Sequence, residues 1–522
     1  MPVTARIELA RNAAGRLVPL EVNHKSQSPF LGLNQYQPSG TKAAPPIRSA
    51  KDYPTNGDKR FPDLESALRR CGLRDGMVIS THHHLRDGDA VALPVLQTAA
   101  RMGVKDLMWF PSASFPTHAP VIDLMEAGAV HHIEGSMNGP LGDYCSMGKM
   151  RGMGVLRSHG GRWQAIQDGE VHIDIAIIAA PTADPFGNAT GSLGKSACGS
   201  LGFALADSTY ADHVIVVTDN LVPFPCVPWQ IQGNNVDYVV EVPSIGDPAK
   251  IVSGTTQITR SPDRLKIAEY VAQFLRDAGI MRNGFSFQAG AGGIALAFVD
   301  YLRRMMKEAG LKARFVRGGS SRYLVEMLQE GLTDYILDGQ TFDLDAVRSI
   351  ATDPRHVATS PFTSYNFHGK GNFASMVDVV VLGATEVDLN FNANVVTHSD
   401  GRLLHGIGGW QNCLFAGCTI LAVPSFRDRI PVIVDEVTTL TGPGELIDVI
   451  VTERGIAINP CRQDLSDAVK GSKLPIRPLA DIQREVENIC GGKPQKPRRL
   501  DRAVAVVKWV DGTVLDTIWQ VG

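Results

Sequence analysis

The sequence predicts an α/β chain: two tandem, related open parallel-sheet domains behind an extended N-terminal arm. Three observations carry this. Short apolar runs alternate with amphipathic helical stretches, a βαβ rhythm that calls for parallel strands joined by right-handed crossovers. The pattern of the first half returns about 205 residues later, too long a period for a solenoid unit and therefore a duplicated domain. The 522 residues also exceed what one hydrophobic core organises.

Residues 1–60 are rich in Pro, Gly, Ser, Asn and Lys and lack periodicity, so they read as an arm. The first domain spans 61–260. It opens with a helix after Asp63, a plausible N-cap, with Leu64, Ala67, Leu68 and Cys71 at helical spacing. A strand at Met77–Ser80, a loop at Thr81–Gly88, a helix at Asp89–Met102 ended by Gly103, and a strand at Asp106–Phe110 follow. Val121–Ala127 reads as a helix, and Val130–Ile133, Ile173–Ala179, Val214–Thr218 and Val239–Pro243 as strands. Ile245–Ile258 reads as a linker. The second domain, 261–522, begins with a helix carrying Pro262 at its first position. It ends in a hairpin whose turn dipeptide, Asp511-Gly512, suggests type I′.

The repeat is explicit. Gly72 and Gly103 find counterparts in Gly279 and Gly310 at one offset. Further on, the segment from Asp174 aligns without gaps on the segment from Asp378, so that Asp184, Asn188 and Ala189 match Asp388, Asn392 and Ala393. The halves differ where it matters chemically, with Thr182 standing opposite Glu386.

A net charge of −3 gives no electrostatic reason to expect nucleic acid. No apolar run is long enough to span a bilayer, and the N-terminus has no signal-like apolar region, so a cytoplasmic protein is expected. Eight cysteines without a CxxC pair fit reduced thiols in a core.

Glu386 lies just past the apolar run Val379–Leu382, where open α/β sheets place their ligands. Gly406, Gly408 and Gly409 follow, and such a segment lets backbone N–H groups approach a reacting oxygen. Together they point to acyl transfer around a carboxylate. The alternatives are that Glu386 caps a turn and that the glycines only bend the chain. The run Gln288–Gly293, before the helix Ile294–Lys307, falls short of a dinucleotide fingerprint because Ala295 replaces its third glycine. It still offers helix N-terminal amides near Gly290, Gly292 and Gly293 to an anion or a carbonyl. Consecutive His82, His83 and His84 point in alternating directions and do not converge on one ion, so no metal is expected. A histidine here, His82 foremost, with Arg86 is a candidate carboxylate contact, against a plain solvated loop. Asn188, Ser192, Lys195 and Ser196 sit in a glycine-flanked turn that would suit a carboxylate or phosphate, and Arg317, Arg322 and Lys370 are phosphate candidates.

Gln288-AGAGG, Gly383-ATEVDLNFNANV, Gly406-IGG and Val451-TERG resemble the motifs of the CoA-transferase superfamily. Over nearly the whole chain, including HHHLRDGD, GSMNGPLG and GSLGKSACGSLGFALADSTYADHVIVVTDNLVPFP, the sequence is similar to the citrate lyase α-subunit branch. The resemblance implies paired CoA-transferase-like domains and a citrate:acetyl-[acyl-carrier protein] transferase. Such an enzyme exchanges the acetyl group on the carrier's phosphoribosyl-dephospho-CoA arm for citrate and releases acetate. It implies an oligomeric complex with a lyase β subunit and a γ acyl-carrier protein, and no tightly bound cofactor, the carrier thioester (or CoA and acetyl-CoA) being substrate. Gly290, Gly292, Gly293, Gly406, Gly408, Gly409 and Asn392 would meet the thioester and its oxyanion. Glu386 falls where covalent CoA-transferases carry a nucleophile, whereas the citrate lyase branch implies direct transfer through a mixed anhydride, with Glu386 in orientation or proton handling. A CoA-transferase or hydrolase acting on free CoA thioesters, and a scaffolding subunit, are the other readings.

Overall fold

The computed structural model describes residues 8–36, 45–252, 257–290 and 292–522. Parts of the predicted arm, 253–256 of the predicted linker and Ala291 of the first glycine loop lie outside the described residues.

The first half builds a seven-stranded, all-parallel sheet in the order Arg60–Phe61, Tyr238–Glu241, His213–Thr218, Ile175–Ala180, Val78–Thr81, Leu107–Pro111, Val130–Ile133. The second builds an eight-stranded sheet: His356–Ala358, Ile336–Thr341, Phe315–Ser320, Ser286–Ala289, Val379–Leu382, Thr419–Ala422, Val449–Thr452, Gly455–Ile458. Only its last pair is antiparallel. Ile175–Ala180 and Val379–Leu382 are buried along their whole length, as strands covered on both faces must be. The strands that correspond by sequence stand in the same spatial order in both halves, so the duplication read from the chain is a duplication of topology.

The matched aspartates explain why the repeat survives in sequence. At the start of one strand, Asp174 accepts the Val78 N–H of its neighbour at 2.7 Å, and Asp378 accepts that of Ser286 at 2.8 Å. Asp237 and Asp448 do the same for Val214 and Thr419. Each carboxylate satisfies an N–H at the start of a parallel strand that would otherwise be left unpaired.

Helices begin and end where local chemistry dictates. The Ser66 N–H donates to the Asp63 carboxylate at the head of Leu64–Arg70, and Asp89 accepts from Ala92 at the head of Ala92–Arg101. Pro262–Asp277 starts on its proline, and Gly293–Ala309 ends on Gly310 at φ +63°.

Two expectations need correcting. The arm is not extended throughout: Leu9–Arg11 pairs with Leu17–Pro19, and Glu21–Val22 with Lys25–Ser26, in two small hairpins. Val18 and Val22 are buried there against Val155, Val506 and Val514. The C-terminal hairpin, Arg499–Lys508 with Val514–Val521, does not turn through a type I′ pair. The Gly512 N–H donates to the Trp509 carbonyl, and only Gly512 has positive φ (+92°), so a three-residue loop does the work. The hairpin also adds to the first half, pairing in parallel with Gly154–Leu156.

Buried Asp184 accepts hydrogen bonds from the N–H groups of Phe186, Gly187, Asn188 and Cys226. Asp184→Ala leaves these donors unpaired and is expected to lower unfolding stability by about 3 kcal/mol or more. Asp184→Asn should lose less, and urea or thermal unfolding of the two variants checks the order.

Candidate active site

The carboxyl ends of the two sheets face each other, and the loops leaving them make the interface. The Ser200 N–H donates to Thr341 Oγ1 at 3.3 Å, and Ser200 Oγ donates to the Thr359 carbonyl at 3.2 Å. A side chain on Gly202 would begin 2.0 Å from that same carbonyl, so this approach requires glycine. The Arg86 guanidinium sits 5.0 Å from the Phe115 ring of one half and 5.2 Å from the Phe342 ring of the other. Burial pushes it down to about 10.

In the second sheet the strand order reverses between Ser286–Ala289 and Val379–Leu382, the place where such sheets open a crevice. Gly290 and Gly383 leave these strands. The Gly290 N–H donates to the Val381 carbonyl at 2.9 Å, and the space beside Gly292 and Gly383 is open. The Trp410 indole N–H donates to the Gly383 carbonyl at 2.8 Å, which ties the second glycine loop to the first crevice wall. Gly409 lies against the Tyr365 hydroxyl, 2.7 Å from where a side chain would start. Tyr365 in turn carries the Arg317 guanidinium 4.6 Å over its ring, and Arg317 Nη1 donates to Gln288 Oε1 at 2.7 Å. The two glycine loops therefore meet around Tyr365, Arg317 and Trp410.

The same loop reaches the first half. Ser136 Oγ, in GSMNGPLG, accepts the Gly406 N–H at 3.0 Å, and the His159 N–H donates to the Gly408 carbonyl at 2.8 Å. His83 stacks 5.5 Å from His159, and its Nδ1 lies 2.6 Å from Ser112 Oγ. His82 and His84 stack on each other at 5.7 Å. His82 is taken up by the fold: its Nδ1 is 3.1 Å from the Ile177 carbonyl, and its Nε2 is 3.1 Å from Asp207, which also pairs with buried Arg162.

Glu386 is 2% exposed and heads the short strand Glu386–Asp388. Its Oε2 accepts from Asn394 Nδ2 at 2.9 Å and from the Thr438 N–H at 2.8 Å, and its Oε1 from Thr438 Oγ1 at 3.0 Å. Arg427, whose guanidinium donates to the Ala384 and Thr385 carbonyls, holds the chain leading to it.

The remaining predicted residues are placed elsewhere. Asn392 and Asn188 are loop clamps: each amide donates to Asp388 or Asp184, and each side-chain oxygen accepts the N–H of Gly444 or Gly233. Ser192 Oγ accepts from Gln230, and exposed Lys195 donates to the Pro243 carbonyl. Arg322 lies exposed beside Tyr323, and Glu453 caps Ser425. His159, Ser136, Tyr365 and Trp410 were not singled out from the sequence. The only signal for His159 is a helix start, Ser158 followed by a glycine pair.

Burial and neighbouring imidazoles hold His83 and His84 well below the ordinary histidine range, so they stay neutral in the folded protein. Only the unfolded chain protonates them as pH falls through about 6.5. Stability is then complete above that pH and is lost below it, by about 1.4 kcal/mol per imidazole per pH unit. His84→Phe should flatten the pH 5–7 arm of a melting-temperature profile by that share.

Residues 58–521 match the family model described as citrate lyase, alpha subunit (CitF). The citrate lyase alpha chain of Klebsiella pneumoniae is 41% identical over 461 residues, 88% of this chain and 90% of that one. A Streptococcus mutans structure, described as the alpha subunit of citrate lyase in complex with citrate, has TM-score 0.93 at 38% identity, covering 98% of this chain and 100% of that one. A Porphyromonas gingivalis 4-hydroxybutyrate CoA-transferase, 15% identical with TM-score 0.53 over 83% of this chain and 98% of that one, shares the fold. A tandem α/β chain with this interface, matched over almost its full length, belongs to the citrate lyase α-subunit family.

Proposed function

We propose that this chain exchanges the acetyl group on a carrier thioester for citrate, giving citryl thioester and acetate. The carrier would be the γ acyl-carrier protein with its phosphoribosyl-dephospho-CoA arm, and the citryl thioester would pass to a lyase β subunit. Citrate as the acceptor rests on the citrate-bound relative.

The observation that carries the mechanism is the state of Glu386. Its carboxylate is buried and accepts hydrogen bonds on both oxygens, from Asn394 and twice from Thr438. A nucleophile held this way is weakened, because its charge-assisted hydrogen bonds stabilise the carboxylate that would have to attack. Direct transfer needs no such step. A citrate carboxylate attacks the acetyl thioester carbonyl, and the tetrahedral oxyanion collapses by expelling the thiolate, leaving a mixed anhydride. The thiolate then attacks the citryl carbonyl, and acetate leaves. Open backbone beside Gly292 and Gly383 gives the oxyanion access to peptide dipoles. Glu386 acts as an anchor that positions Thr438 and the strand leaving Gly383.

Single turnover with citrate labelled by ¹⁸O in its carboxylates tests this. Direct exchange puts label in the first acetate released. A glutamyl intermediate would supply the enzyme's own oxygen, so unlabelled first-turnover acetate would sink the direct route. Acetate release that does not depend on citrate would sink the exchange itself.

A further inference from the structure

We propose that His159 is a catalytic residue of this exchange, donating a hydrogen bond from Nε2 to the thioester carbonyl oxygen bound beside Gly408. The assignment rests on the acyl-exchange reading given above, and it starts from position. His159 opens the nine-residue helix His159–Gln167, whose preceding Ser158 accepts the Gly161 N–H. Its backbone N–H is fixed to the Gly408 carbonyl, and its ring packs at a tilt against Phe203 at 4.4 Å and stacks on His83 at 5.5 Å. The imidazole is therefore held in place on both faces of the interface, yet it is only half-buried and can be reached.

Gly408 faces this ring. It sits at φ +63°, and a side chain there would begin with nothing nearer than His159 Nε2, at 3.8 Å. The space that Gly408 leaves open thus faces the ring nitrogen. A carbonyl oxygen entering there meets a hydrogen-bond donor that needs no rearrangement. Protonation state supports the role: burial and the nearby Arg162 charge push His159 down to about 3. A helix N-terminus also disfavours the cation. The ring is a neutral imidazole at working pH, a donor that polarises a carbonyl without releasing a proton to the thiolate. The proton count of the exchange is then unchanged. The oxyanion accepts a hydrogen bond, collapses and expels the thiolate, and His159 keeps its proton throughout.

Two readouts on the full-length chain with acetyl-CoA and citrate test this. The first is the infrared band of the ¹³C-labelled acetyl thioester carbonyl in bound acetyl-CoA, which reports the donor without turnover. The wild type should move the band to lower frequency, His159→Gln should keep most of that shift, and His159→Phe should abolish it. The second is exchange kinetics. His159→Phe should lower kcat by about 10²- to 10³-fold with KM for citrate changed little, and His159→Gln by much less. His159→Leu replaces the Phe variant if the latter does not fold. An unshifted band in the wild type, or a His159→Phe variant with wild-type band and kcat, overturns the assignment while leaving the exchange intact. A band shift lost in His159→Phe, in a protein that shows no citrate-dependent exchange, sinks the exchange and leaves the donor standing.

Discussion

Two hydrogen bonds decide the geometry of the site, and both come from the other half of the chain. The loop Gly406–Gly409 belongs by sequence to the second domain, yet Ser136 Oγ fixes one end of it and the His159 N–H fixes the other. Each bond contributes only about 1 kcal/mol to stability. Their importance lies in direction: they orient the peptide planes between them, and Trp410 extends that orientation to Gly383. The second half supplies the loop and the first half fixes both its ends.

Most of the fold was legible because the repeated residues do fixed backbone jobs. Asp174 and Asp378 recur because each first residue of a neighbouring strand needs an acceptor, and Asp184 and Asp388 because each following loop needs a clamp. Asn188 and Asn392 recur for the same reason, since each side-chain oxygen ties the clamp to a second loop. The glycine loops were legible because close approach demands glycine: a side chain on Gly406 would begin 2.4 Å from Ser136. His159 and Ser136 were not, because their partners are distant in sequence and no local pattern records a contact between halves. The turn at Asp511-Gly512 was half legible; its glycine is needed, but the loop around it is one residue longer than the dipeptide suggests.

The divergence at Thr182 and Glu386 is a paired change. In the first half Cys226 donates its N–H to the clamp, and the next residue, Val227, is exposed. In the second half Val437 takes that place, and the next residue, Thr438, supplies two donors to Glu386. A carboxylate buried without such donors would be costly by several kcal/mol, so Glu386 is sustainable only in the half that has Thr438. Thr182 asks for less: its hydroxyl donates to the Leu193 carbonyl and accepts from Asn220.

The C-terminal hairpin limits how the protein moves. One of its strands is zipped to Gly154–Leu156 of the first half, and the Val514 backbone exchanges hydrogen bonds with Ser28 and Phe30 of the arm. The Leu440 N–H of the second half donates to the hairpin's Asp516, and Gln411 donates to its Lys508 carbonyl. The arm, the C-terminal hairpin and both halves are thus buckled together. A clam-shell swing about the linker would have to tear this buckle. Access to the cleft by loop and side-chain rearrangement leaves these contacts intact, whereas domain opening breaks them.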